Sequence, residues 1–374
     1  MRIGILGGGQ LARMMIEAVS RYDFRIYIYS NEKNSPAGRI SHGETYGQLN
    51  DFSRLDKFIK KCDIITLENE FIDYQILEYI ENSGVKVFPD STVIKRIQDK
   101  YEQKRFLKDN GIPVAEFCEA ESEKDVIEFA NEHKYPVLLK SRTMGYDGKG
   151  NATIKSEDEI ENAFNSIAER GKVMCEKYID IKMELAIQAV RSREGEIKFY
   201  SPVETIQKNH ICHLVIAPYE AEVEKTEQIK EIAKTIIEKI DYTGVMGIEL
   251  FLTNDNKILV NELAPRVHNT GHYTIEGSRT SQFENHIRAI LGYPLGETGM
   301  LFPYSVMINI LGERNGKAKP QGYEMIFKSE NVYLHLYGKN KTMKGRKMGH
   351  ITVNGTDKND TIKKALKSRE IFNI

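Results

Sequence analysis

The chain has 374 residues, enough at roughly 150 residues per domain for two or three domains with substantial cores. Its 53 Lys and Arg against 54 Asp and Glu leave a formal charge of -1 and a pI near 6.8, which argues against a protein that coats nucleic acid. Cys62, Cys118, Cys175 and Cys212 make neither CxxC nor zinc-finger spacing, and no apolar run approaches the ~18 residues of a membrane span, so a soluble protein of the reducing cytoplasm is expected.

The chain begins with a predicted strand over residues 2–6 that runs into Gly7-Gly8-Gly9 and then a helix with Leu11, Met14, Met15 and Ala18 at helical spacing. Gly7, Gly9 and Ala12 satisfy GxGxxA, the signature of a dinucleotide fold. The second strand, residues 25–29, ends in Ser30-Asn31 without the acid that a nicotinamide ribose needs, and Glu32 comes late for that role. The glycines are therefore expected to bring backbone amides and a helix N-terminus to a substrate phosphate. Strands at 64–67 and 85–88 flank a helix at 72–82, giving a small parallel α/β layer over about 90 residues, with Glu68-Asn69-Glu70 beyond a strand C-terminus where ligands collect.

One long amphipathic helix is predicted over residues 92–110, stopped by Gly111 and Pro113. A second αβ unit leads to a strand at 136–140 whose end, Lys140, needs a partner after the apolar Val137-Leu138-Leu139. Three glycines in six residues follow in Gly145, Tyr146, Asp147, Gly148, Lys149, Gly150 and Asn151, a loop whose amides suit phosphate oxygens although it lacks the Walker A spacing. A strand at 172–175 is expected to lead into a connector, Glu176, Lys177, Tyr178 and Ile179, whose backbone reads an adenine edge, with Glu184 placed to accept ribose hydroxyl protons.

Residues 246–252 and 258–263 have strand composition, and 253–257 between them is turn chemistry. Folding the runs back brings Glu249 opposite Glu262 with Asn261 beside it, two hard-oxygen carboxylates that suit magnesium. Arg266, His268 and Asn269 follow at once. The tail has short strands at 305–310, 332–336 and 350–353, and a cation run from 341 to 347 in which Gly345 lets the backbone approach an anion and Lys347 is assigned a functional role.

These residues carry a resemblance. Lys100, Lys140, residues 145–151, Glu176 to Ile179, Glu184 and Glu249 with Asn261-Glu262 match, in order, the pattern of the ATP-grasp ligases. Within them GGGQLARM (7–14), GYDGKG (145–150), NELAPRVHNTGH (261–272), SQFENHIRAI (281–290) and GRKMGH (345–350) resemble the N5-carboxyaminoimidazole ribonucleotide synthetase family over nearly the whole chain.

The resemblance implies an ATP-grasp fold in three parts: an N-terminal α/β domain over 1–95, an ATP-grasp domain over 96–300 with the glycine loop as its lid, and a small β-rich region over 301–374. It implies ATP- and bicarbonate-dependent carboxylation of 5-aminoimidazole ribonucleotide through carboxyphosphate, with magnesium or manganese, in a homodimer that binds neither nucleic acid nor membrane. Another ATP-grasp ligase of purine biosynthesis, such as a formate-dependent formyltransferase, is the alternative. Lys100, Lys140 and the lid would neutralise ATP phosphates; Glu176 to Ile179 and Glu184 would hold adenosine; Glu249 and Glu262 would bridge the metal. The ribonucleotide would lie near Gln10, Glu70, Tyr146 and Asp147. Arg266, His268, Asn269 and Lys347 would reach its phosphate or bicarbonate, with Arg266 suited to a planar anion. Thr66-Leu67-Glu68-Asn69-Glu70-Phe71 departs from the family pattern and leaves open whether Glu68 or Glu70 faces substrate, and neither Gln207 nor His210 receives a role.

Overall fold

The computed structural model describes residues 1–143 and 150–374; Gly145, Tyr146, Asp147, Gly148 and Lys149 lie outside the described residues. A five-stranded parallel sheet opens the chain, in the spatial order Gly43–Tyr46, Arg25–Ser30, Arg2–Leu6, Ile64–Leu67, Lys86–Phe88. The apolar alternation of the inner strands is buried on both faces, as a parallel sheet demands. The edge strand Gly43–Tyr46 has no buried residue, which is why no apolar run announces it.

The predicted helix over 92–110 is two helices, Ser91–Gln98 and Lys100–Asp109. Asp99 between them leaves helical geometry (φ -93, ψ 113), and its carboxylate accepts from the amides of Tyr101 and Glu102. Arg142 holds the same carboxylate in a two-pronged ion pair, so a residue 43 positions away stabilises the break. Beyond it a four-stranded antiparallel sheet orders Phe117–Ala120, Val173–Lys177, Val137–Ser141 and Asn151–Ile154.

The largest sheet runs through the rest of the molecule in the order Ile258–Ala264, Gly244–Thr253, Ile181–Arg191, Val203–Lys208, Ile211–Ala217, Tyr304–Leu311, Lys347–Gly355, Val332–Leu336, with Ile197–Phe199 paired at one side. The tail strands therefore continue the central ladder, Val215 pairing with Met307 and Ile308 with Ile351. The helix Val223–Lys239 buries Ile229, Ala233, Ile236 and Ile237 in the same apolar cluster as Leu250, Leu252 and Ile258 of the hairpin, each buried isoleucine contributing about 2 kcal/mol. The tail also ends in a helix, Lys358–Ile371, absent from the β-rich expectation; its buried residues Thr361, Ala365 and Ser368 are small and leave no apolar stripe to read. Among the described residues no helix is long and apolar enough to cross a membrane.

Candidate active site

Glu249 and Glu262 lie directly opposite each other on the hairpin strands. The register then shifts, with Leu250 facing Val260, so Asn261 is an extra residue in a β-bulge. Consecutive strand residues normally point to opposite faces; the bulge lets both Asn261 and Glu262 turn toward Glu249. Asn261 Nδ2 lies 3.5 Å from Glu249 Oε2. Lys100, first residue of its helix, places Nζ 2.6 Å from Glu262 Oε1. Burial together with the charges of Glu262 and Glu184 pushes the Glu249 carboxyl up to about 7, against Lys100 and Lys347. Two carboxylates held this close repel each other, and an added cation would relieve the repulsion. Among the described residues no group of three or more His, Cys, Asp or Glu is placed to hold an ion alone, so a cation here would complete its shell with water or substrate oxygens.

Lys140 does have the partner that its apolar strand requires. Its ammonium pairs with Glu176, and Lys104 Nζ lies 2.5 Å from the other oxygen of the same carboxylate. All three groups are buried. Burial would raise the Glu176 carboxyl, but Lys140 and Lys104 outweigh it and hold it at about 2. Two ammonium groups sharing one carboxylate leave an excess positive charge at the sheet's end, the polarity a polyphosphate needs. Glu176 and Lys177 belong to the strand Val173–Lys177 and not to the connector, with the Lys177 amide committed to Glu116 O at 2.9 Å; Tyr178 and Ile179 follow outside it. Glu184 stands on the face of the sheet that also carries Glu249, its carboxyl bonded to Gln207 and raised by burial.

The glycine turn departs from expectation. Glu68 Oε1 accepts from the Gly9 amide at 2.7 Å and Oε2 from the Ala12 amide at 3.2 Å. The N-terminus of helix Gln10–Val19 is thus capped by an acid from a neighbouring strand end, and those amides are not offered to a phosphate. The same contact occupies amides that a dinucleotide pyrophosphate would need. A Cβ on Gly7 or Gly9 would fall 2.2 and 2.6 Å from Glu68 atoms, so the glycines make room for that carboxylate. Gln10 follows as the first helical residue at the mouth of this turn.

Glu70, by contrast, faces across the molecule. It grips Arg266 with both oxygens, Arg266 Nη2 to Oε1 at 2.7 Å. Burial opposes its charge, but Arg266 holds the carboxyl below its ordinary range. His268 packs its Cβ over Gly247, where any side chain would collide at 2.5 Å, and brings Nε2 to 3.6 Å from Glu249 Oε1. Its backbone is clamped by Gln282, which accepts from the His268 amide at 2.9 Å and donates to its carbonyl at 2.7 Å. Lys347 opens the strand Lys347–Gly355, and its charge is felt by both Glu249 and His268. Asn269 is committed elsewhere: it exchanges amide bonds with Asn309 at 3.0 and 2.7 Å and is buried.

The comparisons with known proteins bear on this geometry. Residues 1–98 match the ribonucleotide synthetase preATP-grasp domain, 105–283 the ATP-grasp domain and 305–364 the phosphoribosylaminoimidazole carboxylase C-terminal domain. The N5-carboxyaminoimidazole ribonucleotide synthase of Synechococcus elongatus is 35% identical over 94% of this chain and 89% of its own. The chain belongs to the N5-carboxyaminoimidazole ribonucleotide synthase family of ATP-grasp ligases. An Aspergillus clavatus synthase solved with ADP and 5-aminoimidazole ribonucleotide superposes with a TM-score of 0.89 at 35% identity, covering 99% of this chain and 98% of that one. The phosphoribosylaminoimidazole carboxylase of Ogataea methanolica is 40% identical over 94% of this chain. This chain spans 66% of that longer protein's length. The formyltransferase alternative has no counterpart among these synthase-family relatives.

Sequence reasoning missed three members of this site. Lys104 sits in a helix so rich in charge that it reads as a solvated face. Gln282 and Gly247 act through backbone and empty space, and neither has a signature of its own. A lysine spaced one helical turn from Lys100 was the available signal for Lys104.

Proposed function

We propose that the chain carboxylates the exocyclic amine of 5-aminoimidazole ribonucleotide, using ATP and bicarbonate, as a step of purine biosynthesis. The observation that carries this reading is one continuous run, 249–268, that joins a carboxylate pair suited to a cation to the cations suited to a small oxyanion. Lys100, Lys104 and Lys140 would neutralise ATP phosphates. Glu249 and Glu262, with Asn261 beside them, would hold magnesium, or manganese, whose chemistry when bound is to neutralise phosphate charge. Adenosine would lie by Tyr178, Ile179 and Glu184, and Lys149, Gly150 and Asn151 belong to the loop assigned to the phosphates.

Bicarbonate is a poor electrophile, because its carbon carries a delocalised anion and hydroxide is a bad leaving group. In the reaction proposed, a bicarbonate oxygen attacks the terminal phosphorus of ATP and ADP departs. The amine nitrogen then attacks the carboxyl carbon of carboxyphosphate, phosphate leaves with that oxygen, and the nitrogen loses a proton. Carboxyphosphate is short-lived in water, so it must form beside the amine. Arg266, whose Nε and Nη2 are held by Glu70, would meet it with the N–H donors left at the outer end of the guanidinium, and His268 and Lys347 would flank the same place. A cytoplasmic homodimer completes the reading, and light scattering tests its stoichiometry.

With oxygen-18 bicarbonate, inorganic phosphate should acquire label whenever the ribonucleotide is carboxylated. Label-free phosphate beside carboxylated product would reassign the phosphoryl acceptor. Absence of ribonucleotide-dependent ADP formation would remove the substrate assignment altogether.

A further inference from the structure

His268 can enter the reaction in two ways: as a base that takes the amine proton at Nε2, or as a donor that holds an anionic oxygen with Nε2–H. The choice depends on where its one ring proton sits, and the surrounding hydrogen bonds decide it. The Thr270 amide donates to His268 Nδ1 at 3.5 Å, the side-chain cap of the turn Asn269–Gly271. A backbone amide only donates, and Thr270 is buried, so Nδ1 must be the acceptor. Thr270 Oγ1 also lies 2.8 Å from Nδ1. With Nδ1 bare, the hydroxyl must donate to it. Its lone pairs are then left to accept, and Gln188 Nε2 supplies that bond at 2.7 Å. Gln188 is fully buried in the strand Ile181–Arg191. The chain of donors runs one way, from Gln188 to Thr270 to His268 Nδ1, and leaves the proton on Nε2.

We infer that Gln188 and Thr270 are positioning residues that fix His268 as the Nε2–H tautomer, making it a hydrogen-bond donor to an anionic oxygen of bicarbonate or carboxyphosphate and not the base for the amine. Nε2 faces Glu249 at 3.6 Å, too far for a hydrogen bond, so among the described residues no hydrogen bond occupies its donor and an entering anion can take it. The fixing contacts are all on the Nδ1 side of the ring, away from the carboxylate pair. The donor role rests on the carboxylation reading above; the tautomer does not.

Two-bond nitrogen–proton NMR on the intact chain labelled with nitrogen-15 histidine distinguishes the tautomers, with His268 assigned by the signal that His268→Asn removes. The expected spectrum has Nε2 protonated and Nδ1 bare, with the Nε2 proton shifting on addition of bicarbonate with a non-hydrolysable ATP analogue and magnesium. Thr270→Val removes the 2.8 Å hydroxyl bond and leaves only the longer 3.5 Å amide contact on Nδ1, too weak to hold the ring alone, so the Nδ1–H form should appear in the spectrum and kcat should fall about tenfold, the worth of one well-placed hydrogen bond, while KM for ATP stays put. Thr270→Ser should restore both the spectrum and the rate. A protonated Nδ1 in the parent protein overturns the inference, as does a Thr270→Val protein that keeps the parental spectrum and rate. If Thr270→Val does not fold, the parental spectrum still decides the tautomer. The predicted tautomer in a protein with no carboxylation activity would sink the function and leave the assignment of Gln188 and Thr270 standing.

Discussion

Glu70 and Arg266 are 196 residues apart in sequence and meet as a two-pronged ion pair between the N-terminal layer and the run that follows the hairpin. Each side chain is only 16% exposed. Removing one partner of such a pair strands the other charge, at a cost of about 3 kcal/mol or more. Glu70→Ala should therefore lower the denaturant midpoint and also raise KM for bicarbonate, since Arg266 loses the contact that aims it. An unchanged midpoint and KM would mean that the pair neither joins the layers nor aligns the arginine.

Glu249→Gln and Glu262→Gln should each leave the fold intact and reduce turnover by about 100-fold or more, because each removes a charged ligand from the proposed metal position. Manganese binding, followed by electron paramagnetic resonance with ATP present, should weaken in step. Near-parental activity at saturating magnesium in either variant would overturn the metal assignment.

The same pair makes a prediction about pH. Glu249 is raised in the folded protein from the ordinary 4.5 to about 7, so its contribution to stability is fully present below about 4.5 and lost as pH rises toward 7. The difference in unfolding free energy between the metal-free parent and Glu249→Gln should follow that window, the parent losing ground as pH rises. Magnesium with nucleotide should reverse the loss at pH 7. A difference that stays flat from pH 4.5 to 7 would show that Glu249 titrates normally.

For the buried Lys104–Glu176–Lys140 group, the charges predict an order of effects. Glu176→Gln leaves two unpaired ammonium groups and should cost about 3 kcal/mol or more. Lys104→Met leaves Glu176 paired with Lys140, so it should cost less stability and instead raise KM for ATP. Thermal unfolding of both variants checks the ranking, and the reverse order would refute this account of the triad.

Gly247→Ala tests the space beneath His268. The new methyl would meet the His268 Cβ at 2.5 Å, so the ring or the strand must shift, at about 1–3 kcal/mol. Turnover should fall by more than the stability loss explains, with adenine-nucleotide binding by calorimetry unchanged. Parental kcat would mean that His268 does not need its present seat.

How much of this was legible depends on how local each signal is. Glu249 and Glu262 each interrupt an apolar run, and the turn residues between those runs set their pairing, so the hairpin could be drawn from the sequence. The bulge at Asn261 could not, because it depends on which carbonyl the opposite strand offers. Residues 92–110 carry one helical pattern with neither Gly nor Pro inside; the break at Asp99 is held by Arg142, which arrives from another sheet. Glu68 and Glu70 look alike in a short polar stretch, yet one caps a helix and the other grips an arginine, a distinction set entirely by long-range partners. Strand pairing across the central sheet is equally non-local, so tail strands with recognisable composition gave no hint of whose neighbours they were.

That shared ladder has a consequence for anyone who would cut the gene. The boundary near residue 300 looks like a seam between modules, but Tyr304–Leu311 is hydrogen-bonded to Ile211–Ala217, and the last strands are stitched onto it. A chain stopped before the tail would bare a row of unpaired backbone donors and acceptors along Ile211–Ala217, together with the apolar Leu214 and Ile216. Such a fragment would seek another strand, from its own kind or from a neighbour, and would be recovered as aggregate. A cut at that boundary therefore opens the largest sheet instead of parting two modules.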